Sequence, residues 1–224
     1  TSTVSANVDA GFSIVSYTSS ASGVTDTIGH GLSVAPELII QKTRNAANNW
    51  TVYAEGATTF GQYLNINTTG AVATLAGIWG TSAPSATVYG SKSGTNTSAS
   101  APIIAYCFHS VEGYSKVGSY TGNGSADGTF VHCGFRPAYV MIKRTDSAAN
   151  GDWSILDTAR GLTNAVGMHL RANTSVAELA FGSGIDLVSN GFKIREAANA
   201  LNSNGSSYIF LAFAEHPMKY SNAR

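Results

Sequence analysis

Five histidines, two cysteines and thirteen carboxylates are the side chains of this 224-residue sequence best suited to metal binding or acid–base work. His30 and His132 stand in similar surroundings, as do His109 and His216. Paired histidines invite a metal reading, but the local spacings match no ligand pattern. His132 and Cys133, adjacent on a strand, would point to opposite faces. His169 has no such companion, because Tyr63 occupies the matching place.

The glycine-rich loop Gly122-Asn123-Gly124-Ser125-Ala126-Asp127-Gly128 has the alternating oxygen donors of a calcium loop. It lacks the leading Asp, and Gly134 replaces the glutamate such a loop needs. A phosphate loop requires a following helix, and here a strand pattern follows. A tight hairpin turn is the expectation. Gly90-Ser91-Lys92-Ser93-Gly94 carries Lys where a nucleophile elbow carries Ser. Glycoside hydrolysis needs two carboxylates flanking a cleft. Asp152, Asp157, Glu178, Asp186, Glu196 and Glu215 crowd the second half without partners in the first. No catalytic residue, metal ligand or cofactor site is assigned, and a non-enzymatic protein is expected.

What must position these residues is a repeat. Ser16-Tyr17-Thr18 recurs as Ser119-Tyr120-Thr121, and Gly11-Phe12-Ser13 as Gly113-Tyr114-Ser115. Leu38-Ile39-Ile40-Gln41-Lys42 recurs as Tyr139-Val140-Met141-Ile142-Lys143, preceded by His30 and Pro36 or His132 and Pro137. Asn49-Trp50-Thr51-Val52 answers to Asp152-Trp153-Ser154-Ile155, and Leu64 with Asn67-Thr68 to Leu170 with Asn173-Thr174. Ala105-Tyr106 and His109 match Ala212-Phe213 and His216, followed by Tyr114-Ser115 and Tyr220-Ser221. Offsets of 101 to 107 residues in one order imply a duplication. The expected organisation is an arm over 1–10, a first repeat over 11–112 and a second over 113–224. Matched histidines and tryptophans become fold residues on this reading. Specificity is expected in the unmatched stretches, 70–102 and 176–205. There Trp79 and Tyr89 are the candidate ligand- or receptor-binding residues, Trp79 because an unmatched loop Trp can stack on a sugar or fill an interface.

The composition suits strands and turns. Charged residues are 12% of the chain, about half the usual share, so Ser, Thr, Asn and Gly must supply the polar surface and the turn dihedrals. Thirteen basic and thirteen acidic residues cancel, which leaves no field to attract nucleic acid or an anionic membrane. No apolar run reaches the length of a membrane helix. Two cysteines, Cys107 and Cys133, are too few for a disulfide scaffold and are expected to be buried free thiols. Short Val-, Ile-, Tyr- and Thr-rich runs bounded by turn residues predict strands at 12–18, 24–29, 37–43, 50–54, 62–67, 86–89 and 102–109. In the second repeat they fall at 114–120, 128–132, 138–144, 153–157, 168–172, 191–195 and 207–214. At most one turn of helix is expected, between Thr158 and Gly167. The fold class is all-β: two tandem homologous β-sandwich domains of about seven strands each.

The residues that define the repeat also carry a family likeness. Val111-Glu112-Gly113-Tyr114-Ser115-Lys116, Gly134-Phe135-Arg136-Pro137 with Val140 to Thr145, and Ala212-Phe213-Ala214-Glu215 with Asn222-Ala223-Arg224 are the distinctive stretches. From Gly11 to Arg224 the chain resembles tandem β-repeat proteins of tailed, mostly marine, bacteriophages, usually described as tail-fibre or other virion proteins. The resemblance implies a site on the virion surface and supplies no catalytic residues. It implies other virion proteins as partners, with a host-surface receptor or glycan, and by analogy with fibres a homo-oligomer, a trimer. A capsid decoration protein and a carbohydrate-binding module are the alternative readings.

Overall fold

A computed structural model describes residues 2–94, 97–160, 164–197 and 199–216, with the side chains of Phe181 and Asn199 left aside. The expected helical turn at Thr158–Gly167 includes 161–163, and the landmark Tyr220-Ser221 lies past 216; both fall outside the described residues. The chain divides into two compact units, residues 1–109 and 110–224.

Unit 1 contains β1 (Ser2–Asn7), β2 (Phe12–Thr18), β3 (Thr25–Gly29), β4 (Leu38–Thr43), β5 (Thr51–Ala54), β6 (Gln62–Asn65), β7 (Ala73–Thr74), β8 (Val88–Lys92) and β9 (Pro102–Phe108). They form an antiparallel sheet in the order β1-β2-β9-β4-β5-β6-β7 and a separate β3-β8 ribbon. The core lies where alternate residues of the sheet meet the ribbon: Val15 and Tyr17, Ile39, Tyr53, Ile103 and Ala105 face Ile28 and Tyr89.

Unit 2 contains β10 (Ser115–Thr121), β11 (Phe130–His132), β12 (Pro137–Arg144), β13 (Trp153–Asp157), β14 (Val166–Arg171), β15 (Leu179–Val188), β16 (Gly191–Ile194), the short helix α1 (Asn199–Asn202) and β17 (Ser207–Ala214). Its sheet runs β10-β17-β12-β13-β14-β15-β16-β11 and curls almost into a barrel around Tyr120, Val140, Phe192, Tyr208 and Phe210.

Strand for strand the two orders correspond. β2-β9-β4-β5-β6-β7 parallels β10-β17-β12-β13-β14-β15, and β8-β3 parallels β16-β11. The registers agree too. Tyr17 faces Ile103 as Tyr120 faces Tyr208, and Lys42 faces Ile104 as Lys143 faces Ile209.

Three strands were not anticipated, which raises the expected seven to nine among the described residues of unit 1 and eight among those of unit 2. The N-terminal arm is a strand: β1 pairs with β2 from Ser2↔Tyr17 to Asn7↔Phe12. Its side chains are almost all exposed, so no hydrophobic alternation marks it, and its order comes from backbone pairing. β7 has two residues. β15 hides behind Gly182 and Gly184, opposite a register shift in β14. In unit 2 a stub stands in for β1: Ser110 Oγ accepts Val117 N–H at 3.0 Å, and Val111 bridges Ser115. That pairing puts the boundary after His109. Loop 122–128 is not a hairpin turn, because β10 and β11 lie at opposite ends of their sheet. Buried Asn202 fills it, donating to Asn123 Oδ1 and Ser125 O at 2.8 Å each.

Several landmarks have a common cause. Asn67 Oδ1 accepts Trp50 N–H and Asn173 Oδ1 accepts Trp153 N–H, both at 2.9 Å, and each amide group turns its Nδ2 to Asn49 or Asp152. Lys42 Nζ donates to the carbonyls of Ala46 and Asn48, and Lys143 Nζ to that of Gly151. Each lysine thereby closes the hairpin loop that follows its strand.

Candidate functional site

A cleft of about 340 Å³ opens in unit 1 over the outer side of the β3-β8 ribbon. Thr25 and Thr27 on β3 and Val88 and Gly90 on β8 line one side. Residues 79–83 and Ser85 line the other. Gly90 makes this possible. A Cβ there would stand 2.5 Å from the Trp79 carbonyl oxygen and 2.6 Å from Gly80 Cα, so the wall can touch the ribbon only where the strand has no side chain.

His30 secures the far end of the wall. Its ring is fully buried. Nδ1 accepts Leu32 N–H at 3.2 Å, so the proton sits on Nε2, which donates to Ser85 O at 3.1 Å. Ser85 also receives Val88 N–H on its hydroxyl at 3.1 Å and donates its own N–H to Val88 O at 2.8 Å. Burial holds the His30 pKa below the ordinary histidine value.

Chemically the cleft is neutral. Tyr89 is the one titratable side chain in its lining, and burial raises its pKa. The hydroxyls of Thr25, Thr27, Thr81 and Ser82 make no hydrogen bond to described protein groups. Asp26, between Thr25 and Thr27 on β3, is occupied by Ser20 N–H at 2.9 Å and the Ser93 hydroxyl at 3.1 Å. In unit 2 the same side of the ribbon is charged. Lys193 stands at the Gly90 position, pairs with Asp127 at 2.5 Å, and draws that carboxyl below its usual range; Arg195 pairs with Asp186.

Trp79 and Tyr89, the two expected binding residues, do line the cleft, but from beneath: they are 0% and 1% exposed. Trp79 packs edge-on against Tyr53 at 5.9 Å and donates Nε1–H to Gln62 O at 2.9 Å. Its ring has no face to offer a ligand. Although Trp79 has no counterpart in the sequence, the hydrogen bonds supply one. Lys92 N donates to Ile78 O as Arg195 N donates to Gly184 O, which puts Trp79 in the core place of Ile185. The free hydroxyls were missed, since Ser and Thr occur throughout the chain and nothing local marks these four.

The histidine pairs require correction. His30 N bonds Thr87 O where Cys133 N bonds Asn190 O, and Gly31 and Gly134 follow with matching positive φ. His30 therefore corresponds to buried Cys133, while His132 is exposed. A one-residue slip on a strand reverses the face. Likewise His109 N bonds Gly11 O where Ala214 N bonds Tyr114 O, so exposed His216 lies two residues beyond the equivalent place. Identity of residue type had aligned positions that the ladders do not. Trp50 and Trp153 do correspond, Trp153 buried and Trp50 half-buried against Tyr106.

Cys107 and Cys133 are buried and free, with burial raising each thiol pKa to about 12. Among the described residues no three His, Cys, Asp or Glu side chains converge as metal ligands would. No helix of the described residues is long and apolar enough to cross a membrane.

The architecture defines an all-β protein with a neutral cleft in one of two compact units. The chain belongs to a family described as "Domain of unknown function (DUF7483)", which it matches over residues 1–217 and so across both units. No curated protein and no solved structure matches it.

Proposed function

We propose that the chain is a non-enzymatic surface-binding module of a bacteriophage particle, of tail-fibre type, built as two tandem homologous β-sandwich domains. The observation that carries the binding role is the cleft. Four exposed lining residues, Thr25, Thr27, Thr81 and Ser82, carry hydroxyls with no partner among described protein groups, on a strand frame whose counterpart in unit 2 is covered by ion pairs. Duplication of the domain is supported by eight matched strand pairs, β2/β10, β3/β11, β4/β12, β5/β13, β6/β14, β7/β15, β8/β16 and β9/β17. A duplicated frame lets one copy keep the fold while the other alters a surface. The virion setting rests on the sequence motifs around Val111–Thr121, Gly134–Thr145 and Ala212–Glu215. Other virion proteins and a host-surface receptor are the partners of this reading, and a homo-oligomer is its working form.

The test is location and competition. Antibody raised against the chain should decorate the tails of particles that carry it, and the purified chain should compete with those particles for adsorption to host cells. Labelling of the head would replace the tail-fibre role by capsid decoration. Absence of the chain from particles, with no competition, would overturn the virion reading.

A further inference from the structure

We infer that the unit 1 cleft binds an uncharged sugar residue, held by hydroxyl-to-hydroxyl hydrogen bonds with no charge recognition and no exposed aromatic platform. The inference rests on the reading of the chain as a binding module and goes further in naming the ligand chemistry.

Three features of the cleft select the ligand. Its volume of about 340 Å³ lies at the small end of the roughly 300–1,000 Å³ typical of small-molecule sites, which suits a sugar ring more than a peptide strand. Thr25, Thr27, Thr81 and Ser82 present hydroxyls that the protein leaves unbonded. A hydroxyl both donates and accepts, and so suits a partner with the same dual character, which a polyol has and a carboxylate or ammonium lacks. No side chain charged at neutral pH lines the site, so an anionic sugar or phosphate would lose hydration there without an ion pair to replace it.

Preorganisation is the remaining requirement, and the wall meets it. Gly80 and Gly90 bring two backbones into direct contact at one end. The His30–Ser85 hydrogen bond fixes the other. Buried Trp79 and Tyr89 form the bed beneath. Their part is to hold the cleft open, so replacing Trp79 would abolish binding by collapsing the site and would not demonstrate stacking. The decisive variants are therefore the hydroxyl deletions Thr25→Val with Thr27→Val, and separately Thr81→Val. Valine keeps the β-branched shape at the two exposed strand positions and removes only the hydrogen-bonding atom.

The experiment is amide chemical-shift titration of the full chain with glucose, galactose, mannose and N-acetylglucosamine, and with glucuronate and N-acetylneuraminate as charged controls. At least one neutral sugar should shift the amides of Thr25, Thr27 and residues 79–83, with affinity unchanged by added salt or between neutral and mildly alkaline pH. Thr25→Val/Thr27→Val should weaken it at least tenfold while thermal unfolding stays where it was. Failure of every neutral sugar to shift these amides would overturn the inference, as would preference for a charged sugar or full affinity in the valine variants. Adsorption competition separates this from the broader proposal. If the double valine variant competes with particles as well as the parent does, the sugar assignment fails and the surface-binding role stands. If the parent binds sugar but neither reaches particles nor competes, the virion role fails alone.

Discussion

The interiors of the two units solve one packing problem in opposite ways. In unit 1 three strands meet through polar groups: the Tyr17 hydroxyl donates to Ser91 Oγ at 2.9 Å, and Ser91 in turn donates to Gln41 Oε1 at 3.2 Å. The matching places in unit 2 hold Tyr120, Ile194 and Ile142. There Tyr120 stacks on Tyr208 at 4.9 Å and meets Phe192 edge-on at 6.2 Å, and its hydroxyl leaves the cluster for Leu201 O at 2.7 Å. Bulk is redistributed as well. Val15 faces Ala105 in unit 1, whereas Gly118 faces Phe210 in unit 2. A Cβ on Gly118 would come within 2.8 Å of the Phe210 ring. The bulk that one strand carries in unit 1 is carried by its neighbour in unit 2, an arrangement that compensates across the strand pair.

That compensation can be broken at either partner. Phe210→Ala should destabilise unit 2 by about 3–5 kcal/mol through the cavity it leaves. Gly118→Val should cost about 1–3 kcal/mol through overpacking. The double variant reproduces the Val–Ala arrangement of unit 1 and should be more stable than the sum of the two losses allows, by about 1–3 kcal/mol. Chemical denaturation of the four proteins measures this coupling, and simple additivity would show that the two positions do not compensate.

The polar bridge of unit 1 invites the converse experiment. Ser91→Ala leaves Tyr17 and Gln41 only their long direct bond of 3.4 Å in a buried site and should cost about 1–3 kcal/mol. Removing the whole bridge, with Tyr17→Phe, Gln41→Leu and Ser91→Ala together, should cost less than the three single losses added. In unit 2, Tyr120→Phe deletes only the bond to Leu201 and should cost about 1 kcal/mol. Equal penalties for Ser91→Ala and Tyr120→Phe would erase the distinction between the two interiors.

Much of this was legible in the sequence, for physical reasons that can be named. Strands such as β2 and β4 announce themselves because buried residues alternate on them with half-buried or exposed ones. Trp50, Trp153 and their asparagine clamps align because the same turn needs the same hydrogen bonds. Ladder register was not legible. One histidine pair slipped by one residue and the other by two, since a repeated residue type is a weaker constraint than a repeated backbone bond. Trp79 looked unmatched because Ile185, which fills its place, shares only its burial. β1 gave no signal at all, having no buried face.

The corrected histidine alignment makes a pH comparison available. His30 is buried neutral, with its pKa held below the ordinary 6.5, while Cys133 at the matching place has a thiol near 12 and does not titrate under acid. For a base whose folded pKa is lowered, the unfolded chain binds more protons between the two values, so stability falls as pH drops below about 6.5. His169 in unit 2 is shifted the same way, chiefly by burial and then by Arg171. Melting temperature should therefore fall on acidification, and His30→Gln should reduce that fall without abolishing it. An unchanged acid profile in His30→Gln would remove His30 from the account. On the alkaline side Lys143, whose pKa burial lowers from 10.5 to about 8, makes stability rise with pH between those values. The two buried thiols act oppositely above about 8.5, so Lys143→Met should deepen the alkaline loss of stability, read as melting temperature against pH.

The smallest difference concerns β1, which has no full counterpart among the described residues of unit 2. Gly31 and Gly134 occupy equivalent places with φ of +71° and +84°. A side chain at either strains the backbone, by roughly 1–2 kcal/mol. Only Gly31 has a neighbour in the way: a Cβ there would lie 2.8 Å from Val4 Cγ1 and 3.2 Å from Ala6 Cβ, both on β1, whereas at Gly134 the nearest atom, on His132, is 3.9 Å off. Gly134→Ala should thus register the backbone strain alone. Gly31→Ala should register the same strain and an overpacking cost of about 1 kcal/mol or more, and it should loosen β1, seen as faster amide exchange from Thr3 to Asn7. Truncating Val4 to Ala in the Gly31→Ala background should return part of the excess, since it removes the nearer obstruction and leaves Ala6 Cβ and the strain in place. Equal losses at the two glycines would mean that β1 lies on unit 1 without packing against it.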